Sequence, residues 1–325
     1  LEFRRVLFRS AKERAPIKGT FNGFDVVTMP PPSSGGIALV EMLNILEALN
    51  LPKDAHLSIA AIQKVVEAQR RAYLDRARFL GDTDFVQVPI ERLTSKAHAR
   101  DVIKDFTPNK ASSSAVLGKD ILTEGKMPAD EPLETTHFSV VDGAGMAVSN
   151  TFTLEGGYGS HVVIAGTGMI LNNEMGDFNK KPGFTNTTGT IGTPANVIAP
   201  GKRMLSSMTP AIISKGGKLV LVTGSPGGRT IINTVLHVVL GVTAFGMNGR
   251  DAVSAPSWDH EWMPDRVTFE ADAISADTVA ALKTMGYDVI VRGEQGSAQS
   301  IWIHPQTGTA FGIADRRSPD AKASK

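Results

Sequence analysis

Glu134-Thr135-Thr136-His137-Phe138-Ser139-Val140-Val141-Asp142 marks the point where this chain changes texture. Residues 107–134 before it are rich in Pro, Ser, Gly and charge, and read as an exposed linker. After it, Phe138 and Val140, then Ala147-Val148-Ser149-Asn150-Thr151-Phe152-Thr153, read as two strands joined by the turn Asp142-Gly143-Ala144-Gly145. Two threonines therefore stand where a linker meets the first strand of a sheet. On one reading they are ordinary β-branched strand residues. On the other, Thr135 cuts its own bond to Glu134 and then serves as a nucleophile at a new N-terminus. A Thr hydroxyl needs a base close by, and a freed α-amino group, titrating near pH ~8, supplies one. The stretch alone leaves both readings open.

The 325 residues suffice for one large domain or two small ones. With 34 basic and 33 acidic side chains, the net charge of +1 gives no reason to expect nucleic acid or an acidic membrane as partner. The absence of cysteine excludes thiol catalysis, disulfides and Cys-ligated metal. No apolar run reaches transmembrane length and no signal peptide is visible. Leu1 to Ser10 lacks capping or turn logic, reads as a non-native scar or junction, and is set aside from the fold.

In chain order, Phe24 to Met29 forms a strand candidate that runs into Pro30-Pro31-Pro32-Ser33-Ser34-Gly35-Gly36 and a helix from about Ile37 to Leu49. The Pro/Ser/Gly segment lacks the Lys-Ser/Thr of a phosphate loop and reads as a structural turn. Residues 57–79 form a second helix whose Arg and Glu residues read as a solvated face. A shorter helix follows near 95–105. Beyond the 138–153 hairpin, His161–Ile164, Met169–Leu171, Ala211–Ser214 and Leu219–Thr223 read as strands, the last two joined by Lys215-Gly216-Gly217-Lys218. A long loop spans about 176–203. A helix from Ile231 to about Phe245, another near 275–286, and strands near 288–291, 299–303 and 310–314 complete the chain. Helices, two layers of antiparallel strands, then helices describe an α+β sandwich.

Three further segments carry chemistry. Gly224-Ser225-Pro226-Gly227-Gly228 lies between a strand and a helix, where glycines let consecutive N–H groups point at an oxyanion or simply let the chain turn. It is not a G-x-S-x-G elbow, because position 223 is Thr. Leu205-Ser206-Ser207-Met208 offers two adjacent hydroxyls, which cap backbone or bind substrate. Asn172-Asn173-Glu174-Met175-Gly176-Asp177-Phe178 sets carboxylates three residues apart, suited to a metal, to acid–base work or to a substrate ammonium. The seven histidines show no metal-ligand spacing, so no metal or cofactor is expected. His137 beside Thr135 invites a Ser/His-type triad, but near neighbours in a strand need not face the same way and the amine already supplies a base.

Taken in order, Thr135–Asp142, Leu171–Phe178, Leu205–Met208 and Thr223–Gly228 resemble the signature set of the γ-glutamyltransferases (glutathione hydrolases), and Pro30–Gly36 resembles the turn in their large subunit. The resemblance runs from about residue 20 to the C-terminus. It implies a four-layer αββα sandwich of the N-terminal nucleophile hydrolase type. It also implies a precursor cut before Thr135 into a large subunit, here residues 11–134, and a small catalytic subunit, residues 135–325. By the same resemblance Thr135 is nucleophile and new N-terminus, Thr153 orients it, and Gly227 and Gly228 give the oxyanion N–H groups. Ser206 and Ser207 bind the substrate α-carboxylate, while Glu174 and Asp177 bind its α-ammonium as a charge-assisted pair. Glu155 stands where many members have Asn, placing another acid near the ammonium, and Thr187-Thr188 stands where some have a covering aromatic. The N-terminal part of the large subunit, which carries the family's carboxylate-binding arginine, is absent, so the chain reads as an N-terminally truncated precursor.

The activity so implied is γ-glutamyl transfer or hydrolysis, with glutathione or another γ-glutamyl amide as donor and water, an amino acid or a peptide as acceptor. The compartment implied is periplasmic or secreted. The alternatives are an acylase of the same superfamily acting on glutaryl-type amides, or an uncleaved, inactive chain.

Overall fold

The computed structural model describes residues 11–52, 55–125, 134–271 and 273–324. The suspected scar at 1–10 and most of the approach to Glu134 (126–133) lie outside the described residues.

The principal sheet has six strands in the order β1-β2-β5-β6-β10-β11, every pair antiparallel. Its members are β1 (Ile17–Phe21), β2 (Phe24–Thr28), β5 (Ala211–Lys215), β6 (Lys218–Thr223), β10 (Ser300–Ile303) and β11 (Ala310–Ile313). Sequence reasoning missed β1, because Gly19 and Lys18 interrupt its apolar pattern. Gly19 is required there, since a Cβ would come within 2.7 Å of Val40 Cγ1. The sheet joins strands from both sides of Glu134–Thr135. A cut at that bond would therefore divide the chain without dividing the fold.

Helices α1 (Gly35–Ala48) and α2 (Ile59–Phe79) pack on each other, with α1 against β1 and β2. Every residue of α1 from Gly35 to Leu46 is buried, as a helix with little polar face must be. Ser58 caps α2, its Oγ accepting from Ala61 N at 3.2 Å. The charged residues of α2 are not a solvated face. Glu67, Arg70, Arg71 and Asp75 are all buried. They are tolerated because they are paired, Arg71 with Glu67 and Arg70 with Asp265, while Tyr287 donates to Glu67 at 2.8 Å. α3 (Lys96–Val102) packs on α1, and α4 (Ile231–Thr243) joins the same apolar core. α5 (Gly249–Ser254) follows it.

The expected hairpin forms as β3 (Thr136–Val141) and β4 (Ala147–Phe152), a separate two-stranded sheet packed against β5, β6 and β10. A third sheet, β7 (Trp258–Asp259), β8 (Val267–Glu270) and β9 (Val289–Arg292), has a parallel β8–β9 pair connected through α6 (Ala276–Thr284). The architecture is α+β. Helical, sheet and hairpin layers are present, and the outer face of the hairpin is left exposed among the described residues.

Two expectations need correction. Residues 161–164 and 169–171 are not strands; a lone bridge links Val163 to Ile170. Gly166 and Gly168 both take positive φ between them, and among the described residues no further strand lies alongside to extend the pairing. The stretch 107–125 is not a free linker either. The Gln63 side chain donates to the Thr107 and Lys110 carbonyls, and Ser114 is buried with its N–H on Asp265 Oδ2 at 2.8 Å.

Candidate active site

Antiparallel register brings the two key threonines together. Thr136 pairs with Phe152, so the next residues outward, Thr135 and Thr153, face each other across the end of the hairpin. Both hydroxyls donate to the Glu134 carbonyl oxygen, Thr135 at 2.6 Å and Thr153 at 2.9 Å. Glu155 N donates to Thr153 Oγ1 at 2.8 Å. That N–H occupies a lone pair of Thr153 and leaves its proton for the carbonyl. The Glu134–Thr135 peptide is thus polarised by hydroxyls on the oxygen of its own carbonyl.

His137 faces away. It is buried under the main sheet, with Nδ1 2.7 Å from Thr151 Oγ1 and Nε2 3.2 Å from Ser139 Oγ. Burial lowers its pKa to about 4, so it is neutral at neutral pH. It belongs to the hairpin's seat rather than to a triad with Thr135.

The other candidate residues converge on the same pocket. Glu134, Thr135, Thr153, Glu155, Asp177, Ser206, Ser207 and Gly228 line it, together with Arg76 and Arg229. Glu174 and Gly227 are not among its lining residues, but each shares a turn with one that is, Asp177 and Gly228. Glu174–Asp177 is a single helical turn, joined to the hairpin end because Asn173 Oδ1 accepts from Gly156 N at 2.9 Å. Gly176 between the two acids lets Glu155 pack closely: a Cβ there would lie 1.9 Å from Glu155 Oε1, so that carboxyl would have to move. Burial first, then the charges of Asp177 and Glu155, raise the Glu174 pKa to about 7. Glu174 Oε1 is buried and has no hydrogen-bond partner among the described residues. Three carboxylates so placed favour a cation.

Ser206 and Ser207 are held by the Pro30–Gly36 turn. Ser34 N donates to Ser206 O at 2.9 Å, Ser34 Oγ donates to the same oxygen at 2.7 Å, and Ser206 N donates to Pro32 O at 3.2 Å. Ser206 Oγ is buried without a partner among the described residues. The turn is structural, as expected, and it positions a functional loop. Sequence reasoning missed Arg76, which donates from Nε to Ser34 Oγ at 3.0 Å and from Nη2 to Ser207 Oγ at 3.1 Å. Reading α2 as a solvated face had hidden it.

At the end of β6, Gly227 (φ 131°) and Gly228 (φ 56°) turn the chain into α4 in a conformation that glycine alone adopts readily. Thr230 Oγ1 pins the turn by donating to Gly227 O at 2.7 Å. The Thr187-Thr188 segment is a tight turn around Asn186, whose Oδ1 accepts from Thr188 Oγ1 at 2.9 Å.

Comparison with known proteins places the chain in a family. The family model described as Gamma-glutamyltranspeptidase matches residues 9–324. The glutathione hydrolase proenzyme of Escherichia coli (strain K12) is 44% identical over 310 residues, covering 95% of this chain and 52% of that protein. The Acylase ACY 1 proenzyme of Pseudomonas sp. (strain SE83) is 34% identical over 305 residues, covering 93% of this chain and 50% of that protein. Among solved structures, a gamma-glutamyltranspeptidase mutant of Helicobacter pylori superposes with a TM-score of 0.53 at 44% identity, covering 56% of this chain and 100% of that one. The cephalosporin acylase of Bacillus halodurans shares the fold, with a TM-score of 0.76 over 94% of this chain and 52% of its own at 24% identity. The fold is thus α+β, shared with N-terminal nucleophile hydrolases, and the described residues show the helical, sheet and hairpin layers of their αββα sandwich. The chain spans about half the length of the curated relatives it matches. On the family match and on these identities, the chain belongs to the gamma-glutamyltranspeptidase family.

Proposed function

We propose that this chain carries the self-cleaving and acyl-transferring part of a γ-glutamyl transferase/hydrolase. The observation that carries the reading is the pair of hydroxyls, Thr135 and Thr153, on the Glu134 carbonyl oxygen. In the first reaction Thr135 Oγ1 attacks the Glu134 carbonyl carbon. The C–N bond breaks and the hydroxyl proton goes to the Thr135 nitrogen. Water then hydrolyses the resulting ester, leaving a Glu134 carboxylate and a free Thr135 amine. Residues 11–134 become the large-subunit part and 135–325 the small subunit. In support, chains of solved relatives are matched in full by 56–57% of this chain, about the share that residues 135–325 make up.

In the second reaction the Thr135 amine acts as base, and Thr135 Oγ1 attacks the γ-carbonyl of a γ-glutamyl amide such as glutathione. The amine leaves, and water, an amino acid or a peptide takes the acyl group. Gly227 and Gly228 N–H groups stabilise the tetrahedral oxyanions. Ser206 and Ser207 receive the donor's α-carboxylate, while Glu155, Glu174 and Asp177 receive its α-ammonium. The buried, unpartnered Glu174 Oε1 and Ser206 Oγ support that division. The Glu174 oxygen also disfavours a glutaryl donor, which has no ammonium, although acylases stand among the relatives. We assign the site to a periplasmic or secreted enzyme; no helix among the described residues is long and apolar enough to cross a membrane.

Intact mass of the purified chain tests the first reaction. Two fragments meeting at Glu134/Thr135, replaced by a single mass in Thr135→Ala, are expected. Cleavage that persists in the variant, or a wild-type chain that stays whole, overturns self-cleavage by Thr135. Release from γ-glutamyl against glutaryl anilides separates the transferase reading from the acylase one.

A further inference from the structure

Outside the pocket, three side chains from three helices meet in the interior. Glu41 on α1 is 1% exposed, Asp75 on α2 is 4% exposed, and His98 on α3 is nearly as enclosed. One ligand atom from each lies within 4.8 Å of the other two. His98 Nε2 stands 2.6 Å from Asp75 Oδ2 and 3.5 Å from Glu41 Oε1.

The His98 imidazole hydrogen-bonds Asp75 and lies at ion-pair range of Glu41, so it is held between two carboxyl groups. Glu41 Oε1 points at the pair and has no hydrogen-bond partner among the described residues. A buried polar oxygen without a donor is costly. Arg78 approaches the far oxygen of Asp75, with Nη1 3.5 Å from Oδ1, and leaves Oδ2 directed at His98.

We propose that Glu41, Asp75 and His98 form a binding site for a divalent transition-metal ion, Zn²⁺ in the first instance, which ties α1, α2 and α3 together. One imidazole and two carboxylates are a borderline-hard donor set suited to zinc. Bonds of about 2.1 Å in tetrahedral geometry put ligand atoms about 3.4 Å apart. The Glu41–His98 separation already matches, and the His98–Asp75 contact has only to open. Water completes the coordination. The site lies next to the catalytic pocket through Asp75, whose neighbour Arg76 holds Ser207. Histidine spacing along the sequence could not reveal it, because its ligands are 34 and 23 residues apart and meet only through helix packing.

The test is titration of the chelator-treated chain with Zn²⁺ alone, followed by binding and by thermal melting, in wild type, Glu41→Gln and His98→Gln. Near one equivalent should bind and raise the melting temperature, with affinity at least tenfold weaker in both variants. No stoichiometric binding, or binding undiminished in the variants, overturns the site. Should both variants misfold, Co²⁺ added to the wild type decides. Visible d–d bands of a four-coordinate site, displaced by one equivalent of Zn²⁺, support it, and their absence overturns it. Neither result depends on cleavage at Thr135.

Discussion

On the helical side of the six-stranded sheet, Val26, Ile213 and Leu221 join Leu43, Ile232 and Val235 in one dry core. The hairpin on the sheet is built the other way round. Its inward residues are polar: Ser149 Oγ donates to Thr223 O at 2.8 Å, Ser139 Oγ to Gln299 O at 2.9 Å, and His137 lies against Thr151. Its outward residues are apolar: Phe138, Val140, Val148 and Phe152 are all exposed. Apolar packing tolerates small displacements because it is non-directional, whereas side chain-to-backbone hydrogen bonds fix register. A one-residue slip of β3 would carry Glu134 and Thr135 out of register with Thr153 and break its bond to Glu134 O. Stability is thus concentrated on the helical side and positioning on the hairpin side.

The largest separation of the two comes from the core. Leu43→Ala should destabilise the chain by about 3 kcal/mol, read from urea unfolding, because Leu43 is 1% exposed and the cavity cannot fill. The folded fraction should still cut at Glu134–Thr135. A folded but uncut Leu43→Ala chain would show that the division is not real.

Acid probes the hairpin's seat. Burial holds His137 near a pKa of about 4, below its ordinary 6.5. Between pH 6.5 and 4 the unfolded chain takes a proton that the folded chain refuses, so the stability tied to neutral His137 falls as pH falls through that window. The advantage of wild type over His137→Asn should therefore shrink on acidification, by at most about 3 kcal/mol. Glu174, with its pKa raised to about 7, has the opposite sign, so the single-site difference is the measurement to make. A difference that is flat with pH would break the assignment. Ser149→Ala should cost less, about 1 kcal/mol, and slow self-cleavage more than that loss of stability explains.

The same contrast governs what could be read in advance. Strand alternation and turn chemistry around 138–153 were legible, and with that register the Thr135–Thr153 pairing follows. Arg76, Glu67 and Arg71 were not, because a charged helix reads as solvated unless the partners that neutralise it are seen. Residues 161–171 alternate like strands yet have no sheet to join, a fact of tertiary context rather than propensity. β8 was missed for the converse reason: Val267–Glu270 is buried along its whole length and shows no alternation. Glu174 and Asp177 could be picked out only as acids three residues apart and Glu155 only through the family resemblance, while their crowding shows only in the fold, where Glu155 packs against Gly176.

The smallest effect tests the outward face. Phe138 is 43% exposed and Phe152 is 51% exposed, so little apolar area is gained from them in this chain. Phe138→Ser should change its stability by no more than about 0.5 kcal/mol, the range of ordinary surface substitutions. Lower light scattering at high concentration should accompany it, because exposed apolar strand faces promote association. The hairpin's inward contacts do not involve the Phe138 side chain, so cleavage at Glu134–Thr135 should proceed at the wild-type rate. A loss of stability near that of Leu43→Ala would mean that the outward face is already covered in solution, and the opposition between the two faces of the hairpin would fail.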